Sequence, residues 1–484
     1  MKSLFRGAFL RGVSASVLAV SLAACTAKPQ PLDRPGDVPE AFTAPVNKSA
    51  PVWPAANWWA KFGAAELVPL QETAQKENLD VVQAAARVLQ AEASDGVALS
   101  ALFPTLGASF GANRSGSNTP TPTGGRARNS FSAGLSASYQ QGFFGTQYLQ
   151  LEASREDLRA QRYGAAVTGI SASVSVADEY FTIMSFRERI AVASANIAAA
   201  KRILAITQAK VNSGVASNLD LAQEQAVVAS QEATLPNLIQ AEKQARYSLA
   251  ILLGRAPEGY DIKAQNLDGI DAPSVQPGLP SELLLRNPSI AQAEAQLYAA
   301  HANVDAARSS YFPSINLSGG AGYGPVSNFS SLFGPAGFVW NIGANVAQSI
   351  FDGGKIHAQN DQAKAVQLEL VANYRKTVFT AFQDVETALD QMKAFTDQLA
   401  LTEVQTKASA EAFRISELQY REGTIDIVQL LNNQQSLFSA QQALVQIKLA
   451  RLEANIALYS ALGGGWDQKT DDANYKNQLD WWPL

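Results

Sequence analysis

The chain of 484 residues is poor in the side chains that most enzyme mechanisms require. It has one cysteine and two histidines, His301 and His357, which argues against a catalytic triad, a histidine-ligated metal and a disulfide framework. Its carboxylates are scattered, and none are paired for acid–base catalysis. The glycine pair before Lys355 is not a phosphate-binding loop, because Ile356 stands where that loop needs serine or threonine. We therefore predict no enzyme activity, no metal and no cofactor.

Charge and long apolar runs are also scarce. Charged residues make up 17% of the chain, below the usual quarter of soluble proteins. The net charge of −5 becomes −8 without the first 24 residues, which hold three basic and no acidic side chains. This excludes the basic surface typical of nucleic-acid-binding proteins. Beyond the N-terminus there is no uninterrupted apolar run of the ~18 residues that a spanning helix needs, so a membrane span would have to be a β-barrel.

The N-terminus has the pattern of a secretory signal peptide. Three basic residues precede or flank a short apolar run, Val13–Leu22, which is too short for a spanning helix. The run ends in Leu-Ala-Ala-Cys, which resembles the lipobox of bacterial lipoproteins. We predict that residues 1–24 are removed and that Cys25, the only cysteine, carries palmitate as a lipid anchor. The alternative is an ordinary signal peptide with a chance cysteine. In such lipoproteins, Thr26 rather than an aspartate after the cysteine implies the outer membrane.

The mature chain is predicted to consist of a tether and two similar halves. Residues 25–53 are rich in proline and predict an extended tether, after which an aromatic cluster packs onto the body. Landmarks then recur at an offset of 207 to 209 residues, which indicates an internal duplication. The pairs are Phe103-Pro104 and Phe312-Pro313, Phe144-Gly145 and Phe351-Asp352, Gly214 and Gly423, and Leu253-Gly254 and Leu462-Gly463. The predicted segments are the first repeat 54–256, a connector 257–280, the second repeat 281–464 and a C-terminal tail 465–484.

Each half is predicted to contain two β-strands. They are expected at about 104–113, 130–143, 313–323 and 337–350. Apolar residues alternate with serine, glycine and asparagine, so that one face is apolar and the other is polar. This is typical of transmembrane barrel strands, although a half-buried soluble hairpin would give the same alternation in any single strand. Four strands cannot close a barrel, and open edges are not tolerated in lipid, so several copies must contribute; two or three would both suffice.

Long helices are predicted in the rest of each half. From about 147 to 212 and from 355 to 420 the pattern stays helical without proline, and a helix of ~65 residues would be ~100 Å long. Glycine marks the far end of each, at Gly214 and Gly423, where the chain turns back. The helical pattern alone does not distinguish a tunnel from an ordinary antiparallel coiled coil.

Five motifs besides the lipobox resemble, in their order and spacing, the TolC-like outer-membrane efflux proteins, and most closely their lipoprotein branch, the NodT type. The motifs are Asn57-Trp58-Trp59-Ala60-Lys61-Phe62, Phe103-Pro104, Gln348-Ser349-Ile350-Phe351-Asp352-Gly353-Gly354, Tyr420-Arg421-Glu422-Gly423-Thr424 and Ser460-Ala461-Leu462-Gly463-Gly464-Gly465-Trp466. The resemblance covers nearly the whole mature chain. It implies an α+β membrane protein in which a homotrimer builds a 12-strand outer-membrane barrel, four strands per subunit, continued by a periplasmic tunnel of long coiled α-helices.

The resemblance also implies a functional site at the two helical turns. The residues expected to dock a periplasmic adaptor are Gly214, Val215, Gly423 and Thr424. The residues expected to close the periplasmic end through inter-helix hydrogen bonds and ion pairs are Asp220, Tyr420, Asp426, Gln429 and Asn432. The family often carries carboxylate rings in the last hairpin, and the amides of Gln429 and Asn432 depart from that pattern, which argues against a strong cation-trapping ring. A solvated helix-turn face is the alternative for each of these residues.

The predicted function is that of an outer-membrane channel subunit in a tripartite efflux system. It would passively conduct small molecules from a periplasmic adaptor and an inner-membrane pump, implied to be RND-type, to the exterior. The protein would be lipid-anchored in the outer membrane and extend into the periplasm, in contact with lipid and with no nucleic acid. Two alternatives stay open: a channel for type I protein secretion, and a non-channel periplasmic coiled-coil scaffold lipoprotein.

Overall fold

A computed structural model describes residues 42–43, 53–116, 127–142, 144–270, 273 and 280–466. The signal segment 1–24, the predicted lipid anchor Cys25 and the tail from residue 467 onward lie outside the described residues. Most of the predicted tether and part of the predicted connector lie outside them as well.

The first half runs from helices to strands and back to helices. Its elements, in order, are α1 (Leu67–Glu77), α2 (Leu79–Ser100), β1 (Thr105–Ser115), β2 (Arg128–Gln141), α3 (Thr146–Asn212) and α4 (Asn218–Leu252). A single 3-10 turn, Trp58–Phe62, precedes α1.

The second half repeats the plan of the first. Its elements are α5 (Pro288–Ser309), β3 (Ser314–Val326), β4 (Phe338–Ala347), α6 (Lys355–Glu422) and α7 (Ile427–Ala461), with short helical turns at Pro280–Leu283, Phe329–Ser331 and Pro335–Gly337. Helices α2 and α5 have 22 residues each, α4 and α7 have 35 each, and α3 and α6 have 67 and 68. These matched lengths show the duplication that the recurring landmarks predict.

The four strands form one antiparallel sheet in the order β1-β2-β3-β4. The two hairpins join through β2 and β3, where Leu135 pairs with Ala321. Strand β4 ends at Ala347, three residues before the predicted end, because its partner Ser314 is the first residue of β3. Strands β1 and β4 are the two edges of this sheet, and each has one side that pairs with no other strand of the described chain.

The register separates an apolar face of the sheet from a polar one. In the three pairings most apolar residues lie opposite apolar or glycine residues, as in Leu106 with Ala137 and Ile342 with Gly319. Most of the alternate positions carry serine, glycine, threonine or asparagine. Apolar side chains are nevertheless exposed: Leu106 is 84% and Ile342 is 83% accessible. An apolar face of this kind requires lipid or another apolar surface, as predicted for barrel strands.

The chain divides into two compact units. The first contains the sheet, in Val88–Gln161 and Ala293–Tyr374; the second contains Asp37–Arg87, Arg162–Gln292 and Arg375–Leu484, as far as these are described.

The core of the second unit contains an aromatic cluster built by the residues that follow the tether. Trp58 stacks on Tyr459 with ring centroids 5.1 Å apart, and Phe62 packs on Phe181 at 5.5 Å. All four side chains are buried. Burial of a large apolar side chain contributes about 1.5–3 kcal/mol, so this cluster anchors the segment before α1.

Arg187 of α3 holds the described part of the connector in the second unit. Its guanidinium donates to the carbonyl oxygens of Ile262 and Ala264, both at 2.7 Å, and to the carboxylate of Glu242 at 3.0 Å. Asp261 is a further partner of the same side chain. The connector therefore has a fixed path along α3 and α4 in this segment.

Helix α3 is apolar enough, by length and composition alone, to cross a membrane. One window of 18 residues in it has a mean hydropathy of 1.4, and 28% of that window is buried. The lack of an uninterrupted apolar run predicts no spanning helix. In α3, however, alanine and β-branched residues raise the average hydropathy around isolated polar positions. A single helix of this kind is weak support for a span, and the exposed apolar sheet is the stronger one.

Candidate functional site at the helical turns

Two equivalent turns, both in the second unit, join α3 to α4 and α6 to α7. Gly214 and Gly423 end the long helices in the left-handed conformation, with φ of +76° and +79°. After each glycine, one backbone N–H reaches back to the helix: Val215 donates to Lys210 at 2.8 Å, and Thr424 donates to Gln419 at 2.9 Å. A side chain at either glycine would strain this backbone, which explains why glycine recurs at both turns.

The helices that leave the turns are capped by side chains that were predicted to act between helices. Ser217 and Asp220 form a capping box, in which the Ser217 N–H donates to the Asp220 carboxylate at 2.9 Å. At the second turn, Asp426 accepts from the Gln429 N–H at 2.8 Å. No hydrogen bond joins Asp220 to Tyr420 in the described chain, but the carboxyl group of Asp220 raises the pKa of Tyr420.

Tyr420 is joined to α3 by two residues that are not among the predicted site residues, Thr207 and Lys210. Its hydroxyl is hydrogen-bonded to the buried Thr207 hydroxyl at 3.1 Å. Its carbonyl oxygen accepts from the Lys210 ammonium at 2.6 Å, and the same ammonium lies 4.7 Å from the centre of the Tyr420 ring. We name this arrangement the Tyr420 latch. The sequence feature that could have indicated them is their spacing: Thr207 and Lys210 are three residues apart, which puts both on one face of the helix before the turn.

The environment of the latch also affects the tyrosine hydroxyl. Burial raises the pKa of Tyr420 above its ordinary value, and the hydrogen bond with Thr207 opposes this. The carboxyl groups of Asp220 and Glu224 raise the pKa further. The hydroxyl is therefore neutral and able to donate at any physiological pH.

An apolar layer that includes Tyr420 lies near two buried polar side chains. The buried members of the layer are Ile203, Phe413, Tyr420, Ile427, Leu430, Leu437 and Phe438. Glu224 of α4 and Gln434 of α7 are both 0% exposed. Their side-chain oxygen and nitrogen atoms make no hydrogen bond of ordinary geometry in the described chain, although the Gln434 amide lies close enough to act on the Glu224 carboxyl. Burial raises the pKa of Glu224 to about 7, and the neighbouring Gln434 amide partly opposes the shift.

The remaining predicted residues lie on exposed surfaces. Asp426, Gln429 and Asn432 are all exposed; Asp426 is the N-cap of α7, and the other two lie in its first two turns. Val215 is 71% exposed, and with the exposed Val428 it gives the turns an apolar surface. Gly214, Gly423 and Thr424 are also exposed. The structure thus leaves the predicted docking turns accessible and separates them from the buried latch.

A groove of about 550 Å³ runs beside the latch between α3 and α6. Arg202, Lys210 and Arg421 line it together with small and apolar residues of α3. Glu417 pairs with Arg202 at 3.4 Å and with Arg421 at 3.5 Å, so basic groups outnumber acidic ones. The groove is therefore positively charged.

Comparison with known proteins identifies the family. Residues 70–255 and 279–464 each match the outer membrane efflux protein family. The chain belongs to this family. It is 36% identical over 452 residues to OpmQ, the pyoverdine export outer membrane protein of Pseudomonas aeruginosa, covering 92% of this chain and 95% of that protein. It is 29% identical over 462 residues to CusC, a cation efflux system protein of Escherichia coli, covering 93% and 98%.

The family's fold is shared as well. The solved structure of the open state of the MtrE outer membrane channel of Neisseria gonorrhoeae matches with a TM-score of 0.82 and 29% identity, covering 92% of this chain and 99% of that one. These findings confirm the predicted family, the duplicated α+β fold, the outer-membrane location and the function as an efflux channel. The family is one of transport channels. The lipid anchor Cys25 and the residues assigned to gating and docking stay predictions.

Proposed function

We propose that three copies of this chain form a conduit across the outer membrane and periplasm, which conducts small molecules passively from an inner-membrane pump to the exterior. The observation that carries this proposal is the sheet with an exposed apolar face, a polar face and two edges that pair with no other strand of the described residues. Open edges are unstable in lipid, so β1 of one copy would pair with β4 of the next. Three copies give twelve strands, which leaves a wetted interior lined by serine, glycine and asparagine.

The cargo is a class of small molecules rather than a secreted protein. OpmQ is named for pyoverdine export and CusC for cation efflux, and both are similar to this chain over nearly its full length. Two such different cargoes on one scaffold support a pore with little selectivity of its own. The inner-membrane pump, proposed to be RND-type, would select the cargo and supply the energy.

The two turns would form the periplasmic end of the conduit. The exposed turn residues Gly214, Val215, Gly423 and Thr424 would dock the periplasmic adaptor. The Tyr420 latch would keep α6 against α3 while the channel is closed, and Asp426, Gln429 and Asn432 would face solvent along the α6–α7 hairpin. A lipid on Cys25 would anchor each copy to the outer membrane.

Electron microscopy of the full-length protein in detergent tests the conduit. Threefold particles with a helical tube beyond the micelle are the expected result. Monomers, or rods without a micelle-embedded end, would contradict the proposal and favour the scaffold alternative. A deletion strain then separates the cargo classes: changed susceptibility to small toxic compounds is expected, whereas an isolated defect in protein secretion would favour the type I alternative.

A further inference from the structure

Glu224 lies in an environment that does not accommodate a carboxylate. It is 0% exposed on α4, and neither of its carboxyl oxygens has a hydrogen-bond partner in the described chain. Gln434 of α7 is 0% exposed as well. Its amide lies beside the Glu224 carboxyl and partly stabilises the ionised form, but the two groups make no hydrogen bond of ordinary geometry in the described chain. An isolated buried charge is far more unfavourable than a buried neutral group, so the packed state favours the neutral acid.

The pKa of Glu224 is shifted by burial and by the Gln434 amide rather than by a charged group. From α6, Tyr420 is the titratable residue that interacts with it electrostatically. From α3, Lys210 is directed to the carbonyl and ring of Tyr420, and from α7, Asp426 caps its own helix. On α4 itself, Asp220 lies one turn earlier and is held by Ser217. Desolvation is therefore the dominant influence on the Glu224 pKa, which it raises to about 7.

The position of this residue links it to the latch. Gln434 occupies α7 between Leu430 and Leu437, two members of the apolar layer that also contains Tyr420. Any movement of the α6–α7 hairpin away from α3 and α4 would separate Gln434 from Glu224 and admit water to the carboxyl group. The hydrated carboxyl would regain an ordinary pKa near 4.5.

We propose that Glu224 makes opening of the turn end proton-dependent: the carboxyl is neutral while α4 and α7 are packed, and it releases its proton to solvent when they separate. This proposal rests on the proposed function, because it assumes that the α6–α7 hairpin moves. Glu224 would be a positioning residue, because it would act through the packing of α4 against α7 and not by contacting the cargo.

The sign of the effect follows from the two protonation states. The packed state has the higher pKa, so it binds the proton more tightly and is favoured at low pH. As the pH rises from 4.5 towards 7, the packed state loses this advantage. The two pKa values, about 7 and 4.5, set the limit of the effect: between low and high pH the closed-to-open ratio can fall by at most roughly 300-fold.

The test is single-channel recording of the full-length protein in planar lipid bilayers between pH 5 and pH 8. The open probability of the wild type is expected to rise with pH. Glu224→Gln keeps the shape without the proton and is expected to stay mostly closed, with no pH dependence over this range. Glu232→Gln is the matched control, because Glu232 lies on the same helix, is exposed and pairs with Lys201 at 2.7 Å; it should keep the wild-type profile.

A second variant tests for an effect on the pH midpoint, which would not change if Glu224 had only a structural role. Gln434→Leu removes the amide that partly stabilises the ionised carboxyl, so the midpoint of the pH profile should shift upward. Equal pH profiles of wild type and Glu224→Gln would overturn the proposal. If the wild type forms no channel at all, the conduit itself fails. The pH dependence of thermal unfolding in the same two proteins then tests Glu224 alone, and matching unfolding profiles would overturn its titration.

Discussion

The ammonium group of Lys210 donates to the carbonyl oxygen of Tyr420 at 2.6 Å and faces the ring of the same residue. The tyrosine hydroxyl bonds to Thr207 on the same helix as the lysine. Helix α3 therefore holds a backbone atom and a side-chain atom of one residue of α6. Because the carbonyl lies in the last turn of α6, a cation there also interacts favourably with the helix dipole.

Lys210→Met is expected to weaken closure of the channel. The substitution keeps an apolar chain but removes the charge and the donor. A hydrogen bond from a charged donor is worth ~1.5–3 kcal/mol, so the closed-to-open ratio should fall roughly tenfold to a hundredfold. Bilayer conductance, and the susceptibility of a complemented deletion strain to a large hydrophilic antibiotic, measure this change.

Lys201→Met provides the comparison for the latch. Lys201 lies on the same helix, is exposed and pairs with the exposed Glu232, so the same charge is removed without touching Tyr420. A leak of equal size in both variants would show that net charge, not the latch, is responsible.

The sheet and the duplication could be predicted from the sequence because both are local or periodic patterns. Alternation places Leu135 and Trp340 on one face of their strands whatever the rest of the chain does. The latch could not be predicted in this way. Whether Thr207 faces Tyr420 depends on how α3 and α6 are rotated against each other, and the sequence pattern does not give that rotation. Asp220 shows the same limit: a serine three residues before an aspartate predicts a capping box, yet the family resemblance favoured an inter-helix role. Glu224 would be taken as a solvated helix residue, and only its burial reveals otherwise.

Gly254→Ala and Gly463→Ala are expected to destabilise the fold strongly. These glycines are equivalent in the two halves, with φ of +69° and +88°. A Cβ atom would clash with the carbonyl oxygen of Glu77 at Gly254 and with that of Arg286 at Gly463. The left-handed conformation alone costs about 1–2 kcal/mol for alanine, and overpacking adds about 1–3 kcal/mol. The midpoint of thermal unfolding by circular dichroism measures the loss.

Gly259→Ala separates the two contributions. This glycine has φ of +74°, and no atom lies within 4 Å of the added Cβ. Gly259→Ala should therefore lose only the stability that the left-handed backbone conformation costs an alanine, and its unfolding midpoint should shift less than that of Gly254→Ala. A shift as large as that of Gly254→Ala would contradict the clash at Glu77.

Ile342→Lys is expected to block assembly in the membrane. Ile342 is 83% exposed on the apolar face of the sheet. A lysine on the lipid face of a barrel costs about 2–4 kcal/mol at mid-membrane depth. Asn341→Lys introduces the same charge on the opposite face and should assemble normally. Heat-modifiable gel migration of outer-membrane fractions distinguishes the two; equal assembly of both variants would mean that the apolar face does not meet lipid.

Asp178→Asn is expected to stabilise the second unit at neutral pH but not at acidic pH. Burial, together with the nearby carboxyl groups of Glu453 and Glu179, raises the pKa of Asp178 to about 7. Because the ordinary value is 3.8, the unfolded chain releases this proton first, and the wild type loses stability as the pH rises from 3.8 to 7. The neutral asparagine avoids that loss. Its unfolding midpoint should therefore exceed that of the wild type at pH 8 and match it at pH 4. A constant difference for Asp178→Asn would show that the carboxyl does not titrate on unfolding and that its polar neighbours compensate for its burial.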